Sequence, residues 1–225
     1  MRYSWLGGTV ALVCALQGRV EAFTPNTSVV PAAQRSDTAP PNAAGQMALQ
    51  VAQQVVARGD HGQRPFAVVD KQAALILVFQ ADGLLAGSSS VLLGRALGDQ
   101  SAPGVGQRTQ NGALRDSDRT TPAGRFRSEP GRNLTGEAII WLDYDNALAI
   151  HRLRDGSTRD SRALHLASAD SRARRVSAGC VVVPEAFYDS VVQRLLGHSR
   201  GMVYVMPENG AWQDNWPHLR PNNDV

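Results

Sequence analysis

The chain is nearly without lysine: of its 23 basic residues, all but Lys71 are arginine. Cysteine is almost as scarce, with only Cys14 and Cys180. Cys14 falls in residues 1–22, where Arg2, an apolar run from Trp5 to Leu16 and a Val20-Glu21-Ala22 exit read as a secretory signal peptide cleaved before Phe23. Removing it leaves Cys180 alone, so no internal disulfide can staple the fold. That run is too short to span a bilayer, and no later stretch is long and apolar enough, so no transmembrane segment is expected after cleavage. The five histidines, His61, His151, His165, His198 and His218, are scattered. One cysteine and scattered imidazoles make no compact four-ligand set, so no metal is expected. No glycine-rich phosphate loop follows a strand, which argues against nucleotide-binding α/β folds and any such cofactor. The net charge of +3 is too even to predict a nucleic-acid partner.

What remains is a patterned chain. Residues 23–44, rich in Pro, Ala, Ser, Thr and Asn with no period, read as a flexible lead-in. Residues 45–64 hold a short helix and linker: Met47, Val51 and Val55, with Ala48, Ala52 and Val56, recur three to four apart before Gly59. Strands are predicted over 66–70 and 73–80, joined by a turn at Lys71-Gln72, and over 84–93 after the Asp82-Gly83 turn. Residues 94–119 read as a glycine-rich loop, long enough for a functional role. A strand follows Thr121-Pro122, and 138–142 and 147–151 form a strand pair. Residues 152–175 are an arginine-rich connection. Val181–Val183 reads as a brief buried strand, followed by a helix from Pro184 whose apolar face is Phe187, Val191, Val192, Leu195 and Leu196. A strand over 202–206 closes a mainly β domain spanning 65–206, with one N-terminal helix and one helix after the cysteine. Residues 207–225 form a tail with Trp212 and Trp216 and no usable pattern.

Cys180 supports two readings. It is a small buried hydrophobe ahead of a valine run, or a nucleophile. A nucleophilic thiol needs a base in hydrogen-bond reach, a group orienting that base, and N–H donors for the oxygen that becomes negative. Gly179 allows a tight turn in which backbone amides can serve as those donors. His151, at the end of an apolar strand, and His165, between two leucines, are the candidate bases.

The ordered set Thr121-Pro122-Ala123-Gly124-Arg125-Phe126, Ile150-His151 and Ser177-Ala178-Gly179-Cys180-Val181, preceded by Val69-Asp70-Lys71, resembles the L,D-transpeptidase catalytic-domain (YkuD-like) family over residues 65–206. The resemblance implies a β-sandwich or curved mixed sheet, with Cys180 as nucleophile and His151 as base, oriented by the Arg152 carbonyl. Ser177 would shape the turn, and the amides of Gly179 and Cys180 would form the oxyanion hole. It implies acyl transfer on peptidoglycan stem peptides through a thioester, without cofactor or metal, in the periplasm or cell envelope. Hydrolysis by water, as a carboxypeptidase, endopeptidase or amidase, and a non-catalytic envelope scaffold are the alternatives. Another envelope protein is a further candidate partner. The arginines of the connection after His151 read by default as a surface charge run; as the sharper account, Arg152, Arg154 and Arg162 are candidate binders of the stem peptide's carboxylates, since guanidinium matches carboxylate bidentately. The chain departs from the family pattern at Ala178, where a polar or aromatic residue is usual, and at Val182, where Asn or Arg is common.

Overall fold

The computed structural model describes residues 45–154, 156 and 158–221. The leader and lead-in assigned to residues 1–22 and 23–44 lie outside them. Helix α1 (Gln46–Ala57) buries Ala48, Val51, Ala52 and Val55 along one stripe, while Met47 and Val56 fall outside it and are exposed. Gly59 follows in the left-handed region at φ 62°, which stops the helix without a Cβ penalty.

Ten strands follow: β1 (Phe66–Asp70), β2 (Leu75–Phe79), β3 (Leu85–Ser90), β4 (Leu93–Gly94), β5 (Gly124–Arg132), β6 (Ala138–Asp143), β7 (Leu148–Arg152), β8 (Arg175–Ser177), β9 (Val181–Val183) and β10 (Gly201–Val205). Eight of them form one sheet in the order β3-β2-β1-β10-β5-β6-β7-β9, and β4 pairs with β8 apart from it. The β1/β10 and β7/β9 pairs are parallel and the other neighbours in the large sheet antiparallel, so the sheet is mixed. Just past β3, Leu92 exchanges backbone hydrogen bonds of 2.8 and 2.9 Å with Val182 in β9. The two edges of the sheet are therefore bridged, which requires a strongly curved sheet.

Strand alternation divides the core. Phe66, Val68, Leu77 and Phe79 pack with α1, while Ala67, Val69, Ile76 and Val78 join the main cluster on the other face. Both faces are covered, which explains the nearly continuous apolar run of β2. Pro184 leads into α4, residues 185–196, in which Tyr188–Val192 winds as a π-helical stretch between α-helical ends. Tyr188, Val192 and Leu196 of α4 are fully buried in the main cluster.

Four features differ from the sequence reading. The predicted 84–93 strand breaks into β3 and β4, because Leu92 turns to bond β9. The loop over 94–119 contains a short helix, α2 (Val105–Gln110). The arginine-rich connection contains α3 (Arg159–Ala167), of which only Leu166 is buried, so it has no apolar stripe to betray it. The tail forms α5 (Trp212–Asn215), and Trp212, Trp216 and Leu219 pack into the second cluster beside α1.

Lys71, in the turn expected between β1 and β2, is fully buried. Its Nζ donates to Gly98 O at 2.7 Å, Asp99 Oδ1 at 2.5 Å and Thr121 O at 3.0 Å. Glu208 lies 3.8 Å away, and Arg175 grips both Glu208 oxygens at 2.6 and 2.7 Å. Two cations and two anions thus tie the β1–β2 turn, the 95–121 loop, β8 and the segment after β10 together. Breaking a buried pair from one side costs about 3–5 kcal/mol. Because Asp99 keeps a quarter of its side chain exposed, Lys71→Met is expected near the lower end, a loss of about 3 kcal/mol in urea unfolding.

Candidate active site

β8 ends at Ser177 and β9 begins at Val181, so the chain turns within four residues. Ser177 Oγ closes that turn from inside: it accepts the Gly179 N–H at 3.1 Å and donates to the Cys180 carbonyl at 2.7 Å. Gly179 stands at φ 128°, and a Cβ there would meet the Thr120 carbonyl oxygen at 2.9 Å. Strain and contact both demand glycine at this position. Cys180 follows, half-buried, with its thiol 3.4 Å from the Ala147 carbonyl.

His151 sits on β7 opposite Val182 in the parallel register. Paired residues share a face, and side chains two apart along a strand do too, so the register carries the His151 side of the sheet toward Cys180. His151 is 5% exposed, and its Nδ1 lies 2.7 Å from the Arg152 carbonyl oxygen. A carbonyl only accepts, so Nδ1 carries the proton and Nε2 of the neutral ring offers a lone pair. Burial pulls the imidazole pKa down to about 4; the Arg154 charge adds to this, the Arg152 carbonyl opposes it, and Arg162 adds further. Burial pushes the Cys180 thiol up, against the Ala149 amide and the charges of Arg154 and Arg162. Both shifts favour the uncharged resting pair, thiol and neutral imidazole, over thiolate and imidazolium.

Cys180, His151 and Ser177 line one cavity of about 480 Å³ together with Arg154, Arg162 and His165. Arg95 and Arg119 also line it, and no carboxylate does among the described residues. Arg154 is held by Glu137 at 2.6 Å. Arg162 makes no ion pair among the described residues, and its Nε is buried without a hydrogen-bond partner. Among the described residues the cavity therefore carries arginine charge with no carboxylate lining it. The third candidate arginine is placed elsewhere. Alternation along β7 turns Arg152 to the opposite face, where its guanidinium lies 4.9 Å over the Tyr188 ring and 3.1 Å from Asp189. Its backbone carbonyl is what reaches His151. His165 is brought to the same cavity as His151, but its ring makes no hydrogen bond among the described residues.

Val182 is fully buried with Leu92, Leu153 and Leu166, so it packs α3 onto the sheet. Ala178 is exposed and lines both the main cavity and a smaller one of about 40 Å³ beneath α2. Sequence reasoning assigned no site role to Lys71, or to Thr121 beyond its place in the motif, and did not foresee the helix α3 that carries Arg162 and His165. A larger cavity, about 800 Å³, lies between α1 and the tail. Its charged groups are already engaged: Arg174 donates to the Ser168 and Ala74 carbonyls, and Asp70 accepts the Ala73 N–H. It holds no cysteine or histidine among the described residues.

No family model matches the chain, and no curated protein matches it in sequence. Solved structures similar to it include the catalytic domain of the Enterococcus faecium L,D-transpeptidase, at 18% identity and TM-score 0.32, covering 64% of this chain and 98% of that one. The helical cell shape determining protein Pgp2 of Campylobacter jejuni is similar at 14% identity and TM-score 0.42, with 74% of this chain and 57% of that one covered. An L,D-transpeptidase of Xylanimonas cellulosilytica is similar at 16% identity and TM-score 0.37, with 63% and 60% covered. This chain therefore spans less than two thirds of the length of the latter two.

Proposed function

We propose that this protein is an exported cysteine acyltransferase of the L,D-transpeptidase type, acting on peptidoglycan stem peptides in the cell envelope. One observation carries the reading: His151, its Nδ1 proton committed to the Arg152 carbonyl, lines the same cavity as the solitary thiol of the domain. The ordered Thr-Pro-x-Gly, His and Ser-x-Gly-Cys segments support the choice of family.

In this reading His151 Nε2 takes the Cys180 proton as Sγ attacks a stem-peptide carbonyl, forming the C–S bond and moving the π pair onto oxygen. As that pair returns, the C–N bond breaks, and the imidazolium gives its proton to the departing amine. The thioester is then opened by an amine of a second stem, with His151 again as base. Arg154 and Arg162 bind carboxylates of the stem, and Arg152 acts through its carbonyl rather than its guanidinium. Ser177 holds the turn and keeps the Gly179 amide occupied.

Incubation with a disaccharide-tetrapeptide tests the proposal. Mass spectrometry is expected to show free D-alanine and a cross-linked dimer. A tripeptide product with added water and no dimer would reassign the enzyme as a hydrolase using the same thioester. No conversion of any muropeptide, with binding established separately, would contradict the enzyme reading.

A further inference from the structure

Thr121 touches the turn that carries the thiol, and both its hydroxyl and its carbonyl are engaged. Its side chain is fully buried. Oγ1 accepts the Gly94 N–H at 2.8 Å, which directs the hydroxyl proton to the Gly179 carbonyl at 2.7 Å. The Thr121 carbonyl in turn accepts from the buried Lys71 Nζ at 3.0 Å. A buried cation therefore holds the residue whose hydroxyl holds the Gly179 carbonyl.

The consequence follows from peptide geometry. In a planar trans peptide the C=O and the N–H point in opposite directions. Fixing the Gly179 carbonyl against Thr121 turns the N–H of the same plane, that of Cys180, away from Thr121. The two amides that the sequence offers as oxyanion donors are then unequal. The Gly179 N–H is taken by Ser177 Oγ, whereas the Cys180 N–H has no partner among the described residues.

We infer that Thr121 is a positioning residue that sets the Gly179–Cys180 peptide plane, so that the Cys180 N–H serves as the oxyanion donor. This rests on the proposed thiol chemistry, and its test separates the two. Two probes of the same sulfur differ in one respect. 4-Nitrophenyl acetate is attacked at a carbonyl: the C–S bond forms, an oxyanion develops, and 4-nitrophenolate leaves with the C–O pair. Iodoacetamide is displaced at a saturated carbon, with iodide leaving and no oxyanion formed. Both attacks pass the thiol proton to His151.

Thr121→Val keeps the shape of the side chain and removes the hydroxyl. It is expected to slow acylation of Cys180 by about 10- to 100-fold, since loss of a well-placed oxyanion donor costs about 10²–10³ and misplacement somewhat less. Alkylation is expected to stay within about twofold, and Thr121→Ser to restore acylation. Acylation unchanged in Thr121→Val overturns the inference. So does an equal fall in both reactions, which would mean that the hydroxyl merely supports the loop. A parent protein whose Cys180 is inert to both probes contradicts the proposed function and removes this inference with it.

Discussion

Cys180→Ala is expected to lose at least about 10⁴-fold in turnover of stem peptide while remaining folded, because the cavity holds no other thiol among the described residues. Cys180 is half-buried at the end of a turn rather than inside one of the apolar clusters. Trimming its sulfur is therefore expected to cost about 1 kcal/mol or less, comparable to one buried methylene. The turn itself is secured by Ser177 and Thr121, which contact backbone atoms of the loop and not the sulfur. Steady-state kinetics and urea unfolding of the one variant separate the two readings that the sequence left open. A stability loss as large as that of a core truncation, roughly 2–5 kcal/mol, would mark the cysteine as packing.

His151→Gln is expected to reduce turnover by about 10²- to 10⁴-fold, the usual contribution of a positioned base. The same residue predicts a pH signature. Its imidazole is held near 4 in the folded protein against an ordinary 6.5. Between those values the unfolded chain binds a proton that the folded chain does not. Stability from this group is complete above about pH 6.5, falls as the pH drops, and by pH 4 is lower by roughly 3 kcal/mol. The Gln variant lacks the titration, so its loss between pH 7 and pH 4 is expected to be smaller by about that amount in urea unfolding. The acid limb of activity follows the folded value, so turnover is expected to persist well below pH 6. A limb at pH 6.5 would mean that the imidazole is not the buried, carbonyl-bound ring.

Much of this was legible before any coordinates, for a physical reason. Strands buried on both faces announce themselves through runs such as Leu75–Phe79, and α1 and α4 through apolar residues three and four apart. The turn before Cys180 was legible because Gly179 suits a tight turn, and the position of His151 because it ends an apolar strand run. What stayed hidden depends on partners distant in sequence. Lys71 reads as a turn residue until Asp99, Thr121 and Glu208 close around it. Arg152 and Arg154 are alike in sequence, but Arg152 is the last residue of β7 and faces Tyr188, whereas Arg154 lies past the end of the strand and lines the cavity. Helix α3 rests on Leu166 alone. The 212, 216 and 219 spacing in the tail was the one missed local signal: Trp212, Trp216 and Leu219 recur four and three apart and are buried together.

The central claim is that Cys180 Sγ forms a covalent acyl bond with a stem peptide, assisted by His151. Intact-protein mass spectrometry after a short exposure to disaccharide-tetrapeptide reads this directly. The account predicts a mass gain equal to the stem lacking its terminal D-alanine, mapped to Cys180, released by neutral hydroxylamine as thioesters are, and strongly reduced in His151→Gln. A thiol that stays unmodified while products accumulate, or an adduct that forms equally well without the imidazole, would contradict it.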